Sequence, residues 1–121
     1  MSVRLVIADD QRLFRQSLRI VLEHETDLKV IGEAGDGQEA YEQAKDLRPD
    51  VVLMDVEMPK LDGIAATRIL TKALVGIKVL ILSSYSDDDR VLHGIQAGAV
   101  GYIVKDATPE EFVKIIRATH D

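Results

Sequence analysis

Short apolar runs alternate with amphipathic stretches along the whole chain. The apolar runs are rich in Val, Ile and Leu, as is typical of strands buried on both faces of a sheet. These predicted strands cover residues 3–8, 28–34, 51–54, 77–82 and 100–104. The stretches between them place apolar residues at helical spacing. They predict helices over residues 11–24, 38–47, 64–72 and 86–97, and a last helix that begins after Thr108.

Residue types at the helix ends agree with these boundaries. Ser86 and the three aspartates that follow it offer side-chain oxygens and negative charge to the free N–H groups of a first turn. Gly98 suits the end of the same helix. Thr108 is predicted to cap the last helix, with Pro109 at its first position.

Five strand–helix units joined by short links predict an α/β domain. In such a domain a parallel sheet has helices on both faces, and the crossovers between strands are right-handed. The pattern alone leaves the order of the strands open. Ligands in open sheets of this kind bind at the carboxyl ends of the strands, near the point where the strand order reverses.

Composition narrows the class of protein. A chain of 121 residues fits one domain, and the absence of cysteine excludes a disulfide-stapled module or a thiolate metal site. A net charge of −6 argues against direct binding of nucleic acid, which needs Lys and Arg to neutralise phosphates. No apolar run approaches the roughly 18 residues of a membrane-spanning helix. Asp9-Asp10 also interrupts the first apolar stretch, so no signal peptide is predicted. We therefore expect a cytoplasmic protein that does not bind membranes.

Polar residues follow the ends of four predicted strands. They are Asp9-Asp10, Asp55, Ser83-Ser84 and Lys105-Asp106. If the first and third strands are neighbours, three carboxylates converge, and such a cluster either raises a pKa or holds a cation. Oxygen ligands without imidazole or thiolate favour a hard divalent ion, and we predict Mg²⁺. The alternative is that each aspartate only caps a helix or supports a turn.

These residue types suit phosphoryl transfer. A carboxylate can attack phosphorus and form an acyl phosphate, and it is already ionised at neutral pH. Mg²⁺ and a lysine ammonium would stabilise the charge on the transferring oxygens. The Ser83 hydroxyl could then donate a hydrogen bond to the new phosphate.

Four motifs together resemble the receiver domain of two-component response regulators. They are Asp9-Asp10, residues 51–59 (VVLMDVEMP) with Leu61-Asp62-Gly63, Leu82-Ser83-Ser84, and residues 97–105 (AGAVGYIVK). The resemblance covers the whole chain. It implies a flavodoxin-like (βα)5 fold, a doubly wound parallel five-stranded sheet of strand order 2-1-3-4-5.

The resemblance also implies a role for each matching residue. Asp55 would be the phosphoacceptor, and Lys105 would bind the phosphate. Asp10, Asp55 and the backbone carbonyl of Glu57 would ligate Mg²⁺, with Asp9 holding metal-bound water. Ser83 would be the switch hydroxyl, and Tyr102 would be the aromatic switch that turns inward as Ser83 moves. Catalysis would be limited to assisting phosphorylation and dephosphorylation of the protein itself.

The implied partners are a sensor histidine kinase and, on phosphorylation, a second copy of the chain. Many receivers have proline after the lysine with a cis peptide bond, whereas Asp106 follows here, so we expect a trans bond. Residues 82–85 and 104–106 resemble the NarL/FixJ subgroup, whose regulators carry a LuxR-type helix-turn-helix output domain. Residues 1–121 are then the receiver, and we expect DNA to be bound only by an output domain absent from this chain.

Three alternative functions share parts of this pattern. A stand-alone CheY-like phosphorelay protein would lack an output domain altogether. A phosphatase of the dehalogenase type takes its nucleophile from the first strand, with a second aspartate two positions later, whereas Asp9 and Asp10 are adjacent. A flavodoxin-like electron carrier needs a loop after the first strand that cradles the FMN phosphate, which these two aspartates would repel.

Arginines on the first predicted helix form a separate feature. Arg12, Arg15 and Arg19 fall near one face of that helix. We interpret them either as a solvated surface or as a docking surface for the kinase or another receiver, paired with Glu110 and Glu111.

Overall fold

Strands and helices alternate strictly from one end of the chain to the other. The computed structural model describes residues 2–84 and 88–121, which form five strands and five helices. The strands are β1 (Val3–Ala8), β2 (Leu28–Ala34), β3 (Val51–Asp55), β4 (Lys78–Ser83) and β5 (Gly101–Val104). The helices are α1 (Arg12–Leu22), α2 (Gly37–Leu47), α3 (Gly63–Ala73), α4 (Asp88–Gln96) and α5 (Pro109–His120).

The strands form one parallel sheet in the order β2-β1-β3-β4-β5. This is the flavodoxin-like order, and the prediction is confirmed. After β1 the chain adds β2 on one side and then returns to place β3 on the other side of β1. The carboxyl ends of β1 and β3 are therefore neighbours at the reversal point, with Ala8 beside Met54 in the register. Ligands bind at such a point in open α/β sheets.

Apolar side chains alternate between the two faces of the sheet, so each strand contributes to two core layers. One layer lies under α1 and α5. It includes Leu5, Ile7, Leu53, Leu82, Leu22, Phe112 and Ile116. The other layer lies under α2 and α3. It includes Val6, Val52, Met54, Ile81, Ala40, Ala44 and Leu70. Burial on both faces explains why the strands read as continuous apolar runs.

Two strands extend one residue beyond their predicted ends. Asp55 pairs with Leu82, and Ser83 pairs with Val104. Backbone pairing depends little on side-chain polarity, so the ladder continues through these polar residues. As a consequence both side chains are held by the sheet itself rather than by a loop.

The helix boundaries differ from the predictions by one or two residues at most ends. The Thr108 hydroxyl accepts a hydrogen bond from the Glu111 amide (3.1 Å), and the Glu111 carboxylate accepts one from the Thr108 amide (2.9 Å). This reciprocal pair is the capping box predicted for α5. The predicted start of α4 at Ser86 lies outside the described residues, which resume at Asp88. Among the described residues there is no cis peptide bond, in agreement with a trans bond before Asp106.

Candidate functional site

Three carboxylates meet where β1 and β3 end. Asp9 and Asp10 follow β1, and Asp55 is the last residue of β3. One carboxylate oxygen from each lies within 4.8 Å of the others. Asp9 is fully buried and Asp55 is only 5% exposed, whereas Asp10 is open to solvent. The predicted convergence is confirmed, and it follows from the adjacency of β1 and β3.

The cluster perturbs Asp55 electrostatically. Burial and then the nearby Asp9 carboxylate raise the pKa of Asp55 to about 6, although Lys105 and a hydrogen bond from the Glu57 amide act in the opposite direction. That amide lies 3.4 Å from Asp55 Oδ1. At neutral pH the group is still mainly ionised, and its negative charge lies in a poorly solvated place.

Lys105 brings a positive charge next to the carboxylates. Its Nζ lies 2.7 Å from Asp9 Oδ2, 3.5 Å from Asp55 Oδ2 and 3.2 Å from the side-chain oxygen of Gln11. It also lies 4.9 Å from the centre of the Phe14 ring, within range of a cation–π contact.

The Lys105 amide donates a 2.8 Å hydrogen bond to the Ser83 carbonyl, which joins the loop after β5 to the end of β4.

A cleft of about 640 Å³ opens above these groups. Asp10, Asp55, Lys105 and Ser84 contribute to its wall, together with the loop from Val56 to Pro59. Ser83 is 2% exposed and sits one position beyond Leu82, the register partner of Asp55. Tyr102 is half-exposed on the edge strand β5 and does not line this cleft.

The loop after β3 requires a glycine at its far end. A Cβ atom added to Gly63 would lie 1.7 Å from the Asp55 carbonyl oxygen, so α3 begins in direct contact with the backbone of Asp55. The Gly63 amide donates to the Val56 carbonyl (3.2 Å), and the Asp62 carboxylate caps α3 by accepting from the Ala65 amide (2.8 Å). These contacts give a physical reason for the Leu61-Asp62-Gly63 motif.

Arg15 contacts the site in a way that neither sequence interpretation anticipated. Its side chain is only 14% exposed, and its guanidinium donates to the backbone carbonyl of Asp9 (2.6 Å) and to the carboxylate of Glu33 (2.9 Å). Arg15 is therefore neither a solvated residue nor an open docking residue. The helical spacing predicts the position of Arg15 on the helix. It does not reveal the partners of its guanidinium, which are Asp9, directly after β1, and Glu33 on β2.

The acidic cluster fits a hard divalent cation. Its donors are oxygens alone, and no described residue makes a well-oriented hydrogen bond to the buried Asp9 Oδ2, whose close contact is the Lys105 ammonium. An acceptor of this kind has capacity left for a cation or a coordinated water. The ligand role of the Glu57 carbonyl stays a prediction.

Comparison with known proteins identifies the family. Residues 5–117 match the response regulator receiver domain. The chain belongs to this family. The receiver domain is 47% identical over 117 residues to the uncharacterized transcriptional regulatory protein YxjL of Bacillus subtilis, and the match spans 97% of this chain and 54% of YxjL. It is 41% identical over 116 residues to the transcriptional regulatory protein LiaR of the same organism, across 96% of this chain and 55% of LiaR.

Solved structures agree with the sequence relatives. The receiver domain superposes on the signal receiver domain of NarL from Mycobacterium tuberculosis with a TM-score of 0.94 and 34% identity, covering 98% of this chain and 96% of that one. A two-component response regulator of the LuxR family from Aurantimonas gives a TM-score of 0.92 at 32% identity, over 99% and 86% of the two chains. The recognised resemblance is confirmed, including the NarL/LuxR subgroup.

The receiver domain spans about half the length of the curated relatives it matches. Within the described part of the chain, no helix combines the length and the apolar character needed to cross a membrane.

Proposed function

We propose that this receiver domain works as a phosphorylation switch in which Asp55 accepts a phosphoryl group from the phosphohistidine of a sensor histidine kinase. The observation that carries the proposal is the position of Asp55 in the wall of an open cleft, with carboxylates on one side and the Lys105 ammonium 3.5 Å away. A nucleophilic carboxylate and a cation for the transferred group are thus side by side.

The transfer exchanges one bond for another. An Asp55 carboxylate oxygen attacks phosphorus, the N–P bond of the phosphohistidine breaks, and its electron pair stays on the imidazole nitrogen. The product is an acyl phosphate. With a pKa of about 6, Asp55 is mainly ionised at neutral pH and needs no general base. Lys105 binds a phosphoryl oxygen, and the Ser83 hydroxyl donates a hydrogen bond to the new phosphate.

Mg²⁺ completes the proposed site. Asp10, Asp55 and the Glu57 backbone carbonyl would hold the ion, with Asp9 contributing through water. When bound, Mg²⁺ supplies positive charge that stabilises the transferring phosphoryl oxygens. The convergence of the three carboxylates within 4.8 Å supports this assignment.

The acyl phosphate biases an equilibrium between two conformations. Ser83 moves toward the phosphate, Tyr102 turns inward, and the surface formed by α4, β5 and α5 changes. The half-exposed position of Tyr102 in this structure supports an outward resting state. The altered surface promotes association with a second receiver domain.

The whole protein is proposed to be a transcriptional regulator with a LuxR-type output domain. The names of YxjL and LiaR as transcriptional regulatory proteins support this, as does the LuxR-family neighbour. Binding to DNA would belong to the output domain, because the receiver domain carries a net charge of −6.

Intact-mass spectrometry tests the phosphoacceptor. The protein is incubated with acetyl phosphate, with and without Mg²⁺, beside Asp55→Asn. Asp62→Asn is the matched control, because it makes the same chemical change at another aspartate of the same cleft. A Mg²⁺-dependent phosphoryl adduct on the wild type and on Asp62→Asn, but not on Asp55→Asn, is the expected result. An equal adduct on Asp55→Asn would refute the assignment. Beryllofluoride binding is measured as well, so that the site is still tested if the phosphoryl group is lost before it can be detected.

A further inference from the structure

A partly buried ion-pair network joins α1 to the edge strand β2 next to the acidic cluster. Arg15 Nε lies 2.9 Å from Glu33 Oε1, and Arg19 Nη1 lies 2.7 Å from Glu33 Oε2. The Glu33 side chain is 20% exposed, and these hydrogen bonds hold its pKa below the ordinary range although burial acts to raise it. Both carboxylate oxygens of Glu33 are thus occupied by arginines of α1.

Arg15 extends this network to the backbone of the site. Its Nη1 donates to the Asp9 carbonyl at 2.6 Å. The Asp9 amide donates in turn to the Ala34 carbonyl of β2 at 2.9 Å. Both backbone polar groups of Asp9 are therefore bonded. The hydrogen bond from Arg15 restrains the peptide plane between Asp9 and Asp10, since the bonded carbonyl belongs to that plane.

We propose that Arg15, held by Glu33, is a positioning residue for the proposed Mg²⁺ and phosphorylation site. It acts through the Asp9–Asp10 peptide and touches neither metal nor phosphate. This inference rests on the proposed function, because it concerns the same cluster of carboxylates. The direction of the Asp10 side chain depends on the peptide that Arg15 restrains.

The direction in which replacing Arg15 changes the affinity for Mg²⁺ distinguishes a positioning role from a purely electrostatic one. Arg15 is a cation close to the carboxylates, so removing its charge alone should strengthen the binding of Mg²⁺. Without Arg15, the negative charge of Glu33 would be balanced by one arginine instead of two. This change should also strengthen the binding of Mg²⁺. Loss of positioning predicts the opposite, since partners that orient metal ligands contribute roughly 10-fold or more to affinity.

The chain offers a matched control on the same helix. Arg19 also binds Glu33, and it further contacts Glu23 and the Val30 carbonyl, but none of its hydrogen bonds reaches Asp9. Arg15→Gln and Arg19→Gln therefore remove the same charge and a bond to the same carboxylate. Arg15→Lys keeps the charge, but one ammonium cannot reproduce the geometry of the planar guanidinium that spans both acceptors.

Calorimetric titration of each folded variant with Mg²⁺ alone measures the dissociation constant. We expect Arg15→Gln to weaken binding by about 10-fold, Arg15→Lys to fall between Arg15→Gln and the wild type, and Arg19→Gln to stay within about 2-fold of it. In metal-free protein, the amide resonances of Asp10 and Gln11 should shift with Arg15→Gln and not with Arg19→Gln. If Arg15→Gln does not fold, the Mg²⁺ titration and the amide resonances are measured on Arg15→Lys instead.

Equal or tighter Mg²⁺ binding by folded Arg15→Gln would overturn the positioning role, as would an equal loss with Arg19→Gln. Failure of the proposed function gives a different result, because the wild type itself would then bind neither Mg²⁺ nor beryllofluoride. Unshifted Asp10 and Gln11 amides in the metal-free variants would also overturn the inference without involving the metal.

Discussion

Replacing Asp55 by Asn should stabilise the metal-free receiver domain. The wild-type fold keeps a carboxylate in a buried place beside a second one, and burial is the main reason that its pKa rises to about 6. The unfolded chain binds that proton far more weakly. Stability from the raised pKa is therefore fully present below pH 3.8, the ordinary value for this group, and is lost as the pH rises through about 6.

The size of the effect follows from the same two values. A pKa difference between 3.8 and about 6 corresponds to about 3 kcal/mol at 1.36 kcal/mol per pKa unit. This value is the upper limit of what the ionised Asp55 costs the folded state at neutral pH. Asn is nearly isosteric, cannot ionise, and keeps an oxygen to accept the Glu57 amide. The expected gain for Asp55→Asn is about 1–3 kcal/mol at pH 7.5, and below about 1 kcal/mol at pH 4.

Urea denaturation with a metal chelator, followed by circular dichroism at both pH values, measures the free energy of unfolding. Asp62→Asn serves as the control, because Asn caps a helix about as well as Asp and should change stability little at either pH. A variant Asp55→Asn that is no more stable than the wild type at pH 7.5 would refute the reasoning. So would a gain of equal size at both pH values.

Three further changes test other parts of the structure. Gly63→Ala should cost about 1–3 kcal/mol in urea denaturation and weaken beryllofluoride binding, because the new Cβ would overlap the Asp55 carbonyl oxygen; unaltered stability and binding would contradict that packing. Glu33→Gln should flatten the acid side of the stability–pH curve. The lowered pKa of Glu33 gives stability that is present above the ordinary carboxyl range and is lost as the pH falls through the pKa of the folded state. If the free energy of unfolding of Glu33→Gln fell with acid as steeply as that of the wild type, the ion-pair network would be contradicted. Thr108→Ala should cost about 1 kcal/mol by removing the hydroxyl of the capping box, whereas Thr108→Ser should cost much less in the same assay.

Local signals in the sequence determined most of the secondary structure. Strands buried on both faces must be continuously apolar, and the caps of α5 depend on residues only three positions apart, such as Thr108 and Glu111. The same reasoning located polar residues at the strand ends, including Asp55 and Lys105. It missed the extension of β3 and β4 by one residue, because backbone pairing continues through polar side chains.

The strand order came from family motifs, since hydrophobic periodicity carries no information on which strands are neighbours. The convergence of Asp9, Asp10 and Asp55 depends on that order, and so does the pKa of Asp55, which burial by residues distant in sequence raises. Sequence motifs could therefore name the members of the cluster without giving its geometry.

Arg15 shows most clearly what only the tertiary structure decided. Its position on α1 predicted a surface residue, and the folded chain instead directs its guanidinium to a carbonyl after β1 and a carboxylate on β2. The partners of a long side chain depend on which groups the packing of the elements brings within its reach. Residue spacing along one helix does not predict them. The sequence alone determined which elements form and which polar residues lie at the strand ends. The packing of β1 between β2 and β3 decided how those residues meet.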